Sequence, residues 1–287
     1  MANFVVHPRT QESVDQFAAN PGQALMMSGL SGLGKGSLAT ALALRLLASD
    51  HADASLEPGI LKISPLKGGI GIEVVRNLQH FMSLKTTTNK RITRVAIIED
   101  SHVMSVEAQN ALLKLLEEPP KDSVFILTAA SEHALLPTIR SRVQHFAITK
   151  PTQDALIGYF EQAGHTNEAV VRALRMSGGL PGLMAALLEE DQGHPLQAAA
   201  QQARNVLSAT VFERQCLVDQ LAKERQLAID TCAMLGQMAS IALKSPTITP
   251  NQLKKWRQIL AGALAAGEDL SRYVQPKLVL SRYLLSF

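Results

Sequence analysis

The sequence predicts an α/β domain with a parallel sheet over residues 1–150, followed by a helical region that extends to residue 287. Three observations lead to this prediction. Short apolar or β-branched runs alternate with helical segments in the first half, a glycine-rich loop joins the first strand to a helix, and strand signals end after Lys150. Alternating strands and helices favour a parallel sheet that carries helices on both faces.

Strand and helix signals alternate along residues 24–98. An apolar run at 24–28 (ALMMS) leads into the glycine-rich loop, and the Ala- and Leu-rich segment 37–49 is free of glycine and proline, which favours a helix. A strand is predicted at 60–64 (ILKIS), a helix at 72–84, and a buried strand at 94–98 (RVAII), which is β-branched and bounded by charge. These segments supply three strands and two helices of the predicted sheet domain.

Residues 105–148 complete this domain. Ser105 stands where a helix N-cap is expected, and Pro119-Pro120 ends the helix that follows it. Further strands are predicted at 124–128 (VFILT) and 143–148. The apolar stripe of the helix consists of Ala108, Ala111, Leu112, Leu115 and Leu116.

The second half of the chain is predicted to be helical. Residues 152–190 indicate about three short helices, which are interrupted at Gly178-Gly179 and Pro181. Residues 191–195 (DQGHP) are typical of a linker. The helical pattern from 196 to 287 is expected to be interrupted at Pro246, Pro250 and Gly262. The predicted domains are therefore 1–150, 151–195 and 196–287.

The composition excludes several classes of protein. The chain has 287 residues and a formal net charge of +3, with 46% hydrophobic and 18% charged residues, which is typical of a globular protein and not of a disordered or fibrous one. Cys216 and Cys232 form no CxxC pair, so we expect neither a structural zinc site nor a disulfide framework. Because no secretory signal and no apolar run of about 18 residues is present, we expect a cytoplasmic protein without a membrane span.

Residues 29–35 (GLSGLGK) fit the first seven positions of a phosphate-binding P-loop, and Gly36 departs from the pattern at the eighth. In a P-loop the backbone amides and the helix N-terminus bind phosphate, and the lysine reaches the β- and γ-phosphates. The eighth position normally carries a Ser or Thr that ligates Mg²⁺, but here it is glycine, and the serine after it is rotated by about 100° along the helix. The alternative is an ordinary glycine-rich turn. The candidate nucleotide-binding residues are Gly29, Gly32, Gly34, Lys35, Gly36 and Ser37.

An acidic pair, Glu99-Asp100, follows the predicted strand at 94–98. In P-loop ATPases an Asp at this point supports the Mg²⁺ shell, and in many a following Glu activates water. The order is reversed here. Asp100 is one methylene too short for the base, and a displacement of about 1 Å can cost roughly a hundredfold in rate. The pair is therefore either a degraded ATPase motif or two ordinary carboxylates at the end of a strand.

Two arginines, Arg140 and Arg142, lie in a predicted loop at 137–143 (PTIRSRV). Planar guanidinium groups suit anion recognition, and neither arginine has an obvious acidic partner nearby in the sequence. An arginine that reaches the γ-phosphate on a neighbouring subunit can contribute about 10³–10⁵ in rate. The alternative is a solvated or structural ion pair.

Three segments together resemble the bacterial clamp-loader family of AAA+ proteins. They are 29–37 (GLSGLGKGS), 95–120 (VAIIEDSHVMSVEAQNALLKLLEEPP) and 137–143 (PTIRSRV), and the run NALLKLLEEPP is highly specific to that family. The resemblance continues at 177–191 (SGGLPGLMAALLEED) and in the final PKLVLSRYLLSF. It implies an α/β AAA+ P-loop domain, then a small helical lid domain and an all-α collar domain that forms the oligomer.

Departures from the family's ATP-hydrolysing gamma/tau pattern resemble its delta-prime-type members. Gly36 replaces the P-loop Thr or Ser, Glu99-Asp100 replaces Asp-Glu, and the stretch 179–182 lacks the second-domain sensor arginine. The loop at 141–143 keeps its Ser-Arg pair, with Val143 in place of the usual Cys. The resemblance therefore implies that Arg142 acts in trans as an arginine finger, with Arg140 as a local structural contact.

The resemblance also implies partners and cofactors. The chain would be a scaffold subunit of the DNA polymerase III clamp loader, within the polymerase holoenzyme. Its partners would be gamma/tau and delta subunits and, indirectly, the sliding clamp and primer-template DNA, with no membrane. We expect no required cofactor, at most weak binding of ATP or ADP, no ATPase activity from the chain alone, and no zinc, because the family's four-Cys module is absent. The alternatives are a gamma/tau-like ATPase with an unusual P-loop and an AAA+ adaptor outside replication.

Overall fold

The structure, a computed structural model, describes residues 5–51, 54–65, 69–84, 91–189, 195–243, 248–272 and 274–287. The chain divides into two compact units, residues 1–152 and 153–287. The predicted boundary at residue 150 is close to this division. The further division at 195 stays a prediction, and residues 191–194 of the predicted linker lie outside the described residues.

The first unit is built on a five-stranded sheet, as predicted. Its strand order is β2-β3-β4-β1-β5, and all four neighbouring pairs are parallel. Because the strands are parallel, the segments that follow β1 and β3 leave the same edge of the sheet, with β4 between them. The strands are β1 (Ala24–Ser28), β2 (Ile60–Ile63), β3 (Arg94–Ile98), β4 (Ser123–Ala129) and β5 (Gln144–Ala147).

Five α-helices accompany this sheet in the described part of the first unit. The first of them was not predicted from the sequence, because its buried apolar face consists only of Val14 and Phe17. The Phe17 ring packs edge-on against Phe146 of β5, with ring centroids 6.0 Å apart. The helices are α1 (Pro8–Ala19), α2 (Lys35–Leu46), α3 (Ile72–Ser83), α4 (Val106–Glu117) and α5 (Pro137–Arg140).

The predicted N-cap and apolar stripe of α4 are confirmed. The Ser105 hydroxyl accepts a hydrogen bond from the Ala108 amide at 3.2 Å. Ala108, Leu112 and Leu116 are buried in one core cluster, together with residues of α3, α5 and four strands. Burial of this face fixes α4 against the sheet, and with it the segments at both ends of the helix.

The second unit is helical throughout its described residues, as predicted. Pro250 begins a helix, with Thr249 as its N-cap, while Pro246 lies outside the described residues. No helix in the described part of the chain is long and apolar enough to span a membrane. The helices are α6 (Gln153–Gln162), α7 (Asn167–Ser177), α8 (Pro181–Leu188), α9 (Pro195–Ser208), α10 (Val211–Leu221), α11 (Arg225–Ala242), α12 (Pro250–Ser271) and α13 (Pro276–Leu284).

The predicted break at Gly262 is wrong. This glycine lies inside α12, where it meets the ring of Tyr283 from α13. A Cβ at residue 262 would lie 2.6 Å from two ring carbons of Tyr283. Glycine therefore serves close packing between two helices at this position, and it does not end the helix.

Candidate functional site

The glycine-rich loop joins β1 to α2, and two of its backbone carbonyl groups accept hydrogen bonds from the side chain of Lys35. Lys35 is the first residue of α2 and is only 7% exposed. Its Nζ donates hydrogen bonds to the carbonyl oxygens of Gly29, at 2.8 Å, and Leu30, at 2.9 Å. A phosphate that recruited Lys35 would have to replace these two bonds.

The predicted P-loop glycines keep a backbone that suits glycine. Gly32 and Gly34 have φ values of +84° and +78°, in the left-handed region that L side chains rarely adopt. Gly34 also caps the N-terminus of α2 in this conformation. Ser37, one residue beyond the Mg²⁺-ligating position, is exposed on α2. The backbone at these two glycines is compatible with the predicted P-loop, and phosphate binding by the loop stays a prediction.

The eighth P-loop position is in contact with the acidic pair. A Cβ placed on Gly36 would lie 2.1 Å from Glu99 Oε1, far inside contact distance. Glu99 follows β3 and Gly36 lies in the first turn of α2, so the shared sheet edge brings them together. Any side chain at residue 36 would have to displace the Glu99 carboxylate.

Two further residues hold that carboxylate in place. The Ser64 hydroxyl donates to Glu99 Oε2 at 2.6 Å, and Lys62 Nζ lies 3.0 Å from Glu99 Oε1. Lys62 belongs to β2 and Ser64 follows that strand, so the neighbouring strand supplies both partners. Neither contact could be read from the sequence, because each joins residues 35 or more positions apart.

Asp100 has a backbone conformation that is unusual for a residue other than glycine. Its φ is +45°, in the left-handed region, where a non-glycine residue is uncommon. The Thr128 hydroxyl accepts from the Asp100 amide at 3.0 Å, and the Ser101 hydroxyl donates to the Thr128 carbonyl at 2.8 Å. The end of β4 thus holds the turn that follows β3.

His102 is a site residue that the sequence reasoning missed. Burial is the main cause that lowers the pKa of its imidazole, Asp100 acts in the opposite direction, and Lys35 lowers the pKa further. Its Nδ1 is buried without a hydrogen-bond partner among the described residues. Since Lys35 and Asp100 both act on the His102 imidazole, the three residues lie near one another.

Arg142 lies at the surface of the first unit, where it forms an ion pair. Its side chain is 37% exposed, and its Nη2 lies 2.8 Å from Glu117 Oε1 at the end of α4. Its Nη1 donates to the Thr138 carbonyl at 3.0 Å and to the Ser141 hydroxyl at 3.3 Å. The acidic partner is 25 positions away, which is why the sequence did not reveal it.

Arg140 forms no polar side-chain contact among the described residues. Arg140 is half-buried at the end of α5, and its guanidinium has no hydrogen-bond or ion-pair partner in that part of the chain. The local structural role expected of this residue stays a prediction. In the structure Arg142 carries the local contacts, because its guanidinium reaches Glu117 and the α5 carbonyl of Thr138.

A serine, a histidine and a glutamate also form a chain of contacts beside β1. The Ser28 hydroxyl and His145 Nε2 are 2.7 Å apart, and His145 Nδ1 lies 3.1 Å from Glu132 Oε2. These residue types also occur in hydrolase triads. Ser28 is only 6% exposed, however, which leaves little access for a substrate carbonyl. We interpret the set as a link between β1, β5 and the segment before α5.

In the described ranges, no group of three His, Cys, Asp or Glu side chains is placed to hold a metal ion. Cys216 is exposed and Cys232 is buried, and both are free thiols. Burial raises the pKa of the Cys232 thiol to about 12, so this residue is an inert core side chain.

Comparison with known proteins finds similarity to subunits of DNA polymerase III. Residues 11–152 match the family described as DNA polymerase III, delta subunit. The delta' subunit of DNA polymerase III from Escherichia coli strain K12 is 30% identical over 206 residues, which are 65% of this chain and 60% of that protein. The gamma/tau subunit from Mycobacterium bovis is 37% identical over 103 residues, which are 34% of this chain and 18% of that protein.

Solved structures support the fold. A DNA polymerase III gamma-subunit-related protein from Thermotoga maritima superposes with a TM-score of 0.54 at 19% identity, covering 95% of this chain and 96% of that one. At this identity the likeness shows the fold alone. The sequence match spans about 60% of the length of the Escherichia coli relative.

Proposed function

We propose that this chain, which is a delta-prime-like AAA+ protein of the bacterial clamp-loader family, is a subunit of the DNA polymerase III clamp loader that does not hydrolyse ATP itself. In this role the chain is a scaffold for gamma/tau and delta subunits while they load the sliding clamp onto primer-template DNA. It requires no cofactor of its own. The proposal also includes the cytoplasmic location that is expected from the sequence.

One observation carries the proposal, namely the Glu99 carboxylate beside Gly36. In P-loop ATPases a Ser or Thr hydroxyl at the eighth position ligates Mg²⁺, and the acidic residue after the strand supports the ion. Here a side chain at residue 36 would collide with Glu99 Oε1, which Ser64 and Lys62 already hold. The Mg²⁺-ligating hydroxyl is therefore missing and the space next to its position is filled, which supports the absence of ATP turnover.

Arg142 gives this chain a catalytic part to play on a neighbouring subunit. A guanidinium stays protonated at any working pH and can stabilise the charge on γ-phosphate oxygens during hydrolysis. Arg142 is exposed on a short connection between α5 and β5. Arg142→Ala removes only a surface ion pair, so it should change the free energy of unfolding by about 0–1 kcal/mol.

Reconstitution tests both parts of the proposal. The isolated chain should show no ATP hydrolysis, and calorimetry should show weak or no binding of Mg·ATP. Mixed with gamma/tau, delta and clamp, it should form a complex whose clamp-loading rate falls on Arg142→Ala. Arg76→Ala is the matched control, because Arg76 is also an exposed, ion-paired arginine of the first unit. Loading at the wild-type rate by the Arg142→Ala complex would contradict the role in trans.

A gamma/tau-like ATPase is the second candidate, because Lys35 and the loop glycines are retained and a gamma/tau relative matches over 103 residues. ATP hydrolysis by the isolated chain that disappears on Lys35→Ala would establish this candidate and overturn the scaffold proposal. An AAA+ adaptor outside replication would be indicated by co-purification that recovers no clamp-loader subunit.

A further inference from the structure

The guanidinium of Arg142 is held by acceptors from two elements. Nη1 donates to the Thr138 carbonyl and to the Ser141 hydroxyl. Nη2 lies 2.8 Å from Glu117 Oε1 in an ion pair. Among the described residues, the donor nitrogens Nε and Nη2 form no hydrogen bond. A planar fork fixed on one side thus keeps two donors for an anion.

Glu117 stands at a place where a carboxylate is not stabilised by its own helix. It is the last residue of α4, and a negative charge there meets the negative end of the helix dipole. Its neighbour Glu118 is exposed and has no ion pair in the described part of the chain. Arg142 supplies the positive charge that the position of Glu117 calls for.

The two side chains project from a rigid base. Leu116 of α4 and Ile139 of α5 belong to the same buried core cluster, and Ile139 is fully buried. Leu116 is next to Glu117, and Ile139 lies three positions before Arg142. The backbone near each of the two charged residues is therefore fixed against the sheet. Since both backbones are fixed, the contact between Glu117 and Arg142 sets the orientation of the guanidinium plane.

We propose that Glu117 is a positioning residue, which orients Arg142 so that its two remaining donors reach phosphate oxygens of a nucleotide bound by a neighbouring subunit. The inference rests on the proposed function, in which Arg142 acts in trans. An arginine without such a partner must lose rotamer freedom each time it binds the phosphate. Glu117 removes that cost in advance and confines the guanidinium to one plane, which matters most in the transition state.

The test uses the reconstituted clamp loader that contains the full chain with Glu117→Gln. This change keeps the shape of the side chain and removes its charge. We expect kcat for clamp- and DNA-dependent ATP hydrolysis at the neighbouring site to fall about tenfold with KM for ATP unchanged, a smaller effect than the roughly hundredfold cost of a displacement of about 1 Å. Glu118→Gln is the matched control, and its kcat should equal that of the wild type.

A second comparison separates positioning from a structural effect. In the Arg142→Ala background, Glu117→Gln should cause no further loss of kcat, because there is no guanidinium left to orient. An equal loss in both backgrounds would overturn the inference, and so would a wild-type kcat for Glu117→Gln in a complex where Arg142→Ala is slow. If Arg142→Ala itself turns over at the wild-type rate, the role in trans fails first, and the inference fails with it.

Discussion

Gly36 and Glu99 each depart from the usual P-loop pattern, and the structure makes them a complementary pair. The longer acid extends to the place where a larger residue 36 would stand, and the glycine leaves room for it. The sequence showed both departures separately. Their contact spans 63 positions and depends on the parallel order of β1, β4 and β3, so it could be seen only in the fold.

The pair can be tested by the sign of one substitution. In a helix, Gly→Ala normally stabilises by about 0.5–1 kcal/mol. Gly36→Ala should instead lower the free energy of unfolding by about 1 kcal/mol, because Glu99 must leave its hydrogen-bonded place. In the Glu99→Ala background, the same change should become stabilising. Urea denaturation measures all four proteins, and the same sign in both backgrounds would contradict the pairing.

His102 predicts a dependence of stability on pH. Burial lowers the pKa of the folded-state imidazole, while the unfolded chain takes up this proton near pH 6.5. Just below that pH the unfolded state therefore binds more protons than the folded state, and stability is lost as the pH falls. From pH 7.5 to 5.5, the free energy of unfolding should fall more for the wild type than for His102→Gln. The control is His80→Gln on the exposed face of α3, which should keep the wild-type pH dependence.

At the scale of elements, the sequence predicted strands better than helix interruptions. β1, β3 and β4 are continuous buried runs, and such runs between turn signals leave little choice of structure. Gly262 misled the prediction because glycine both ends helices and allows close packing inside them. Only the position of Tyr283, 21 residues further on, decides between the two.

Two glycines of α12 provide a matched comparison. A Cβ at Gly262 would lie 2.6 Å from the Tyr283 ring, whereas a Cβ at Gly267 would meet nothing within 4 Å. Gly262→Ala should therefore destabilise by about 1–3 kcal/mol through overpacking. Gly267→Ala should stabilise by about 0.5–1 kcal/mol through helix propensity. Thermal unfolding of the two variants measures both changes in stability. A stabilising effect of Gly262→Ala would contradict the prediction and would show that Tyr283 of α13 moves to make room for the new Cβ.

At the scale of the whole molecule, the chain divides into two compact units. The first unit has 152 residues and the second has 135, and both sizes are within the range of domains that fold on their own. The sequence indicated the division through the end of strand signals after Lys150. The further division that the sequence predicted at residue 195 stays a prediction, because helical periodicity alone does not say which helices pack together.

The two units should unfold in separate cooperative transitions. The chain has a single tryptophan, so the transition of the unit that contains it can be followed by fluorescence. Trp256 lies in α12, so its fluorescence reports the second unit, whereas circular dichroism reports both. Leu235→Ala empties a fully buried site in the second unit and should lower the denaturation midpoint seen by Trp256, since such changes cost about 2–5 kcal/mol. Leu112→Ala makes an equivalent cavity in the first unit and should leave that midpoint in place, while the circular-dichroism curve shifts. Equal shifts of the Trp256 midpoint by both variants would show that the two units unfold as one.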